Sequence, residues 1–179
     1  MSILAYIESK SNKPKKSSFE VISYAKELSK QLSLELVVVA INIDDSSDLN
    51  KYGPDKIITI KDANLEKFDA KIYADIISQV CVKFSTSHII LSGGVDSKYL
   101  APILSIKLEA GYVSNVVDLP SKLEPFTIKR TSFSNKSFCD TTIISDKKII
   151  SVSNNSFSPV ENSSTPDFVD FQAKIPERK

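Results

Sequence analysis

At 179 residues, with 41% hydrophobic and 25% charged content, the chain has the make-up of one ordinary globular domain with a sizeable core. A formal net charge of +1 excludes the electrostatic footprint of a nucleic-acid or anionic-membrane binder. The two cysteines, Cys81 and Cys139, make neither a disulfide framework nor a zinc pattern, so a reducing compartment is the default.

Met1-Ser2 runs straight into the apolar residues 3–7, read as the first strand, so no signal or transit peptide is expected. No apolar run is long enough to span a bilayer, and the expectation is a cytoplasmic protein without membrane insertion. Residues 2–8 read as a short strand, followed by a polar loop in which Lys10, Lys13, Lys15 and Lys16 are expected to be exposed. Ser17-Ser18-Phe19-Glu20 has the form of a capping box, a serine accepting an early helical N–H while Glu20 reaches back. Val21, Ile22, Ala25, Leu28 and Leu32 then recur at helical spacing. Residues 34–41, LELVVVAI, are apolar and β-branched on both alternating sets, the pattern of a central parallel strand covered on both faces.

Residues 44–51 are polar and predict a helical turn; Asp44, Asp45 and Asp48 there read as a solvated loop rather than metal ligands. Tyr52-Gly53-Pro54-Asp55 breaks the chain before a third strand at residues 56–60. A helical stripe over residues 68–84 carries Ile72, Tyr73, Ile76, Ile77, Val80 and Phe84, with Cys81 beside it as a core thiol. Residues 88–91 form the fourth strand, and residues 99–110 a helix capped by Gly111. Strands alternating with helices imply βαβ units and a mostly parallel sheet. After Gly111 the runs 113–119, 127–133, 138–144 and 148–152 are strand-like with no helix between them, and read as added antiparallel strands. Beyond Phe157 the chain is rich in Ser, Asn and Pro. The expected division is an α/β domain over residues 1–158 and a linker or tail over residues 159–179.

Between the fourth strand and its helix lies Ser92-Gly93-Gly94-Val95-Asp96-Ser97, which matches the Ser-Gly-Gly-X-Asp-Ser signature of the PP-loop ATP pyrophosphatases. Such a turn holds phosphate because paired glycines let backbone approach an anion while N–H groups and hydroxyls donate to it, at a helix N-terminus. On that reading Ser92, Gly93, Gly94, Asp96 and Ser97 are phosphate-binding candidates, in an ATP-using enzyme or a stand-alone adenine-nucleotide module. Position speaks for a different reading. In those enzymes the loop follows the first strand of the nucleotide domain and several βα units come after it; here it follows the fourth strand, and one helix remains. His88, the sole histidine, reads as structural, Tyr6, Tyr24 and Tyr73 as core, and no autonomous catalytic group or metal site emerges.

Chain-wide, the sequence resembles the N-terminal domain of the electron transfer flavoprotein alpha subunit. The resemblance runs from Ile3 to about Pro159, through ILAYIES, KKSSFEVISYAKEL, KYGPDKIITIKD, FDAKIYADII and HIILSGGVDSKYLAPILSIKLEAGYVSNVVDL to Arg130-Thr131-Ser132-Phe133-Ser134-Asn135-Lys136. Lys98, Leu100, Ala101 and Pro102 match the family's basic residue and Leu-Ala-Pro helix start, whereas Ser97, Tyr99 and Ile103 depart from it. The family's Arg-Pro-X-Tyr-Ala-Gly run survives as Arg130 and Phe133. The resemblance implies a three-layer α/β/α, Rossmann-like fold of the adenine nucleotide alpha hydrolase-like kind, its mostly parallel sheet carrying added antiparallel strands in the C-terminal half. It implies an electron-carrier domain rather than an enzyme, a scaffold packing on a beta subunit, with Arg130 and Phe133 as interface candidates. FAD is implied for the intact subunit, on a C-terminal domain expected to begin where this chain stops, and no cofactor-binding residue is expected in this segment. Flavin dehydrogenases and a quinone oxidoreductase are the implied redox partners of the full complex.

Overall fold

The computed structural model describes residues 1–176; the end of the expected tail, residues 177–179, lies outside the described residues. Its ten-stranded sheet is built first from β1 (Ser2–Ile7), β4 (Glu35–Ile41), β5 (Lys56–Ile60) and β6 (Thr86–Ser92). A two-stranded hairpin, β2 (Ser9–Lys10) and β3 (Lys13–Pro14), follows β1, and the helices are α1 (Lys16–Leu32), α2 (Ala70–Lys83) and α3 (Val95–Leu108). The C-terminal half adds β7 (Gly111–Val116), β8 (Lys122–Leu123), β9 (Phe126–Ser132), β10 (Ser137–Thr142), β11 (Lys148–Val152) and β12 (Asp167–Asp170). In space the order is β10-β9-β7-β11-β6-β1-β4-β5-β12, with β8 on β9. The expected three-layer, mostly parallel architecture is what the chain adopts.

Period-two alternation explains the two cores. On β1, Leu4 and Tyr6 face α2 and α3, together with Val37, Val39, Ile89 and Leu91. Ile3, Ala5 and Ile7 face α1, with Leu36, Val38, Ala40 and Ile90. A strand buried on both faces has no polar set, which is why LELVVVAI reads as one apolar run. Each fully buried Leu or Ile contributes on the order of 1.5–3 kcal/mol. Tyr6, Tyr24 and Tyr73 are buried, and Cys81 is a free thiol in the α2 core.

Several local expectations need correction. α1 begins at Lys16 with Lys15 as N-cap and no side-chain cap, so the capping box does not form. Its residues serve tertiary contacts: the Ser18 hydroxyl donates to the Glu8 carbonyl, and Glu20 accepts the Asn155 N–H at 2.9 Å. Gly111 does not cap α3; Glu109 takes the left-handed position at φ 52°, and Gly111 opens β7. The late strands are not all antiparallel. β11 inserts between β6 and β7, parallel to both, and its Ile149 and Ile150 serve opposite cores. Only β8, β9 and β10 form the antiparallel addition.

The segment read as linker is packed on the α/β body as far as Ile175. The Asn162 and Ser164 N–H groups donate to the Lys51 and Asn50 carbonyls, and β12 pairs parallel to β5. Phe171 and Ile175 lie against the core. Gly53, at φ +80°, lets this strap pass: a Cβ there would sit 2.8 Å from the Asn162 carbonyl oxygen. No helix among the described residues is long and apolar enough to cross a membrane.

Candidate functional site

β1 has β4 on one side and β6 on the other, and both neighbours are parallel to it. Chain order runs outward from β1 to β4 and β5, then returns across to β6, so the strand order reverses between β1 and β6. In open α/β sheets the crevice at the carboxyl ends of such a pair is where ligands bind. Two things meet there: Glu8, the residue after β1, and the glycine turn between β6 and α3.

The meeting is tight. Ser92 and Ser97 each donate a hydroxyl hydrogen bond to Glu8 Oε1, both at 2.6 Å. Lys15 Nζ lies 2.9 Å from Glu8 Oε2 and 3.0 Å from Asp96 Oδ2, bridging the carboxylates. The Gly94 N–H donates to Ser92 Oγ at 3.0 Å. Ser92, Ser97 and Glu8 are all buried, Glu8 with 2% of its surface exposed. Gly94 is required by close approach: a Cβ there would fall 2.7 and 2.8 Å from the two Glu8 oxygens. Asp96 adds an acid to the first turn of α3, where it favours the helix dipole.

Electrostatics follow the geometry. Burial pushes the Glu8 carboxyl upward, but the Ser92, Ser97 and Lys15 hydrogen bonds and the Lys15 charge outweigh it, and the net direction is down. Burial pulls Lys15 down, and its contacts with Glu8 and Asp96 outweigh that, so it is raised. Both groups are held charged. The sequence brings Ser92, Gly94, Asp96 and Ser97 together as expected, yet the acceptor of the two serine hydroxyls is a side chain of this chain. Neither Glu8 nor Lys15 was among the candidates. Lys15, expected as a free loop lysine, is half-buried and doubly paired. The available signal was an acid closing a buried parallel strand beside a glycine turn.

The neighbouring space is limited. A cavity of about 80 Å³ beside the turn is lined by Tyr6, Asn12, Asn42, Phe68, Tyr73 and Asp96, well below the roughly 300–1,000 Å³ of small-molecule sites. Asp45 accepts the Ser47 N–H and Asp48 pairs with Lys51, so the acidic loop is engaged in local contacts. His88 is buried on β6, its Nδ1 2.9 Å from Ser87 Oγ and its ring against Phe126; burial and the Lys148 charge lower it to about 4.

Arg130 and Phe133 lie apart from this crevice. Arg130 is half-buried on β9, its Nε donating to the Thr131 carbonyl at 3.3 Å. Phe133 is not an inward strand residue: it opens the β9–β10 turn and is 80% exposed. Phe133, Ser134 and Asn135 all have positive φ, at 51°, 53° and 62°.

Known proteins are similar to this chain in sequence. The electron transfer flavoprotein subunit alpha of Bacillus subtilis (strain 168) is 25% identical over 122 residues, covering 68% of this chain. The match takes in 38% of that protein, so this chain corresponds to well under two thirds of it. A family model described as electron transfer flavoprotein domain matches residues 3–176, which includes the strap and β12 as well as the α/β body. A match over nearly every described residue places this chain in the electron transfer flavoprotein domain family, as an alpha-type, N-terminal-like member.

Proposed function

We propose that this domain is a scaffold in an alpha-type electron transfer flavoprotein subunit: it packs on a beta-type subunit and poses a separate FAD-binding domain that carries the electron. The observation that carries this reading is the family match over residues 3–176. The switch-point crevice supports it. Its hydroxyls and lysine are engaged by Glu8, an arrangement that supports a reading in which the flavin is held by another domain. On this reading the domain is not an enzyme, and dehydrogenases and a quinone oxidoreductase meet the assembled complex.

The β9–β10 turn supports the contact surface. A phenylalanine in the left-handed region is strained by on the order of 1 kcal/mol, and exposure leaves that without return in the isolated chain. Phe138 on β10 is also exposed, while Arg130 on β9 lies in register with Cys139. Aromatic residues and arginine are the types enriched at interface hot spots.

Co-expression with a beta-type subunit tests the reading. The expected result is a co-eluting complex that Phe133→Ser and Arg130→Ala weaken, and a colourless protein when this chain is purified alone. Stoichiometric flavin absorbance in the lone chain, or no complex with the beta-type subunit, overturns it.

A further inference from the structure

The serine–glycine turn is left unexplained by a scaffold role. Its two buried hydroxyls converge on one oxygen, Glu8 Oε1, 2.6 Å from each, and Lys15 holds the other oxygen of the same carboxylate, Oε2, at 2.9 Å. The helix behind it, α3, has Gly94 as N-cap and no side-chain cap. What occupies the point is a carboxylate, itself an oxyanion, at the sheet position where open α/β folds place ligands. Gly94 leaves room for this oxyanion, since a Cβ there would fall 2.7 and 2.8 Å from its two oxygens.

We propose that residues 92–97 form an oxyanion seat held by the chain's own Glu8, and that Glu8 keeps phosphate out of a turn otherwise built to accept it. The physical case is substitution. Ser92 Oγ, Ser97 Oγ and Lys15 Nζ are the donor set a phosphate oxygen requires, and Glu8 satisfies all three at distances typical of charge-assisted hydrogen bonds. An external anion has to displace a buried carboxylate tethered to β1, which is present at far higher effective concentration than any free ion. With Glu8 removed, two buried hydroxyls and a lysine lose their acceptor, and an inorganic oxyanion of phosphate size restores it. Asp96 remains paired to Lys15 and leaves the serine side of the seat open. This inference does not depend on the scaffold reading, because its test involves no partner.

The test titrates inorganic phosphate into the wild-type chain, Glu8→Ala and the double variant Glu8→Ala/Gly94→Ala, with sodium chloride at matched ionic strength as control, and reads thermal unfolding and phosphorus line broadening. The expected result is no phosphate-specific response in the wild type. Glu8→Ala starts with a lower Tm, which rises saturably with phosphate and not with chloride. In the double variant the alanine methyl occupies the vacated seat, and the response is lost. Should Glu8→Ala not fold, Glu8→Ser retains a hydroxyl for the network and carries the same titration. A folded Glu8 variant that responds to phosphate no more than to chloride overturns the proposal, and so does a wild-type chain that responds as strongly as the variant.

Discussion

The parallel centre of the sheet and its antiparallel ribbon solve opposite problems with the same backbone ladder. β1, β4 and β6 have almost no exposed side chains, because α1 covers one face and α2 with α3 the other. β10 has almost no buried ones, and its residues alternate between exposed and half-exposed along its length. β9 mediates, burying Phe126 and Ile128 at its start while Phe133 stands in solvent just beyond its end. A domain that needed only to fold would have little use for the outer ribbon. The centre holds most of the buried side chains, and on the proposed reading the ribbon presents the surface for a partner.

Large-to-small cuts should break this comparison most clearly. Leu4→Ala removes a fully buried side chain from the central strand and is expected to destabilise by about 2–5 kcal/mol in urea unfolding. Phe133→Gly on the ribbon relieves a left-handed phenylalanine and is expected to leave stability within about 1 kcal/mol, or to raise it. The same Phe133→Gly change should nonetheless lower affinity for a beta-type subunit. Equal losses of stability from the two substitutions would erase the division of labour.

Acid sharpens the comparison at the seam where the centre meets β9. His88 lies under Phe126 and beside Lys148, which also approaches the Phe126 ring at 5.5 Å. Its folded value, lowered to about 4, lies below the ordinary 6.5, so between these values the unfolded chain binds the proton and the folded chain does not. Stability is therefore full above about pH 6.5 and falls with the pH toward 4, by about 2–3 kcal/mol in total. Glu8 adds a second loss further down. Its folded value is depressed, so its contribution is present above the ordinary 4.5 and disappears as pH falls below that through the folded value. Unfolding measured from pH 7 to 5 isolates His88, and His88→Gln should flatten that slope.

How much of this could be read from the sequence depends on the range of the contact. The apolar run of β4 and the helical stripe of α2 were legible because both patterns are local and strictly periodic. The site was half legible. Its glycine turn spells a signature, but the acceptor, Glu8, stands 84 and 89 positions away from the serines it binds. No spacing rule reaches that far; only the β1–β6 pairing brings them together. The strap failed to register for a different reason. β12 pairs with β5, and Val169, Phe171, Ala173 and Ile175 pack on the core at period two. But this short alternation follows directly on Ser-, Asn- and Pro-rich residues whose composition reads as a tail. Ser18 and Glu20 mislead in the opposite sense, since residues that suit a local cap were used for long-range contacts.

The Glu8 network ties β1 to α3, so its removal falls on the parallel centre. Glu8→Gln keeps an acceptor for both serines but replaces the charge facing Lys15 and is expected to destabilise by about 1–3 kcal/mol at neutral pH. The ribbon's exposure to solvent should be indifferent to it. If Glu8→Gln changed protection of β10 amides as much as that of β1 amides in hydrogen exchange, the two regions would be one cooperative unit.

The two cysteines offer the gentlest probe, because one lies in each region. Cys81 is packed in the α2 core, where burial pushes its thiol up to about 12. Both the missing thiolate and the missing access protect it from disulfide reagents. Cys139 lies on β10, half-exposed, its Sγ 3.9 Å from Thr141 Oγ1. A chromogenic disulfide reagent at neutral pH is expected to modify Cys139 in the native chain and both thiols after denaturation. Cys139→Ser should leave a folded protein that reacts only at the rate of its own opening. Bound beta-type subunit should slow Cys139 and leave Cys81 unchanged, because the ribbon is the proposed contact surface. Slowing at Cys81 instead would mean that binding tightens the parallel centre, and the line drawn at β9 would have to move inward.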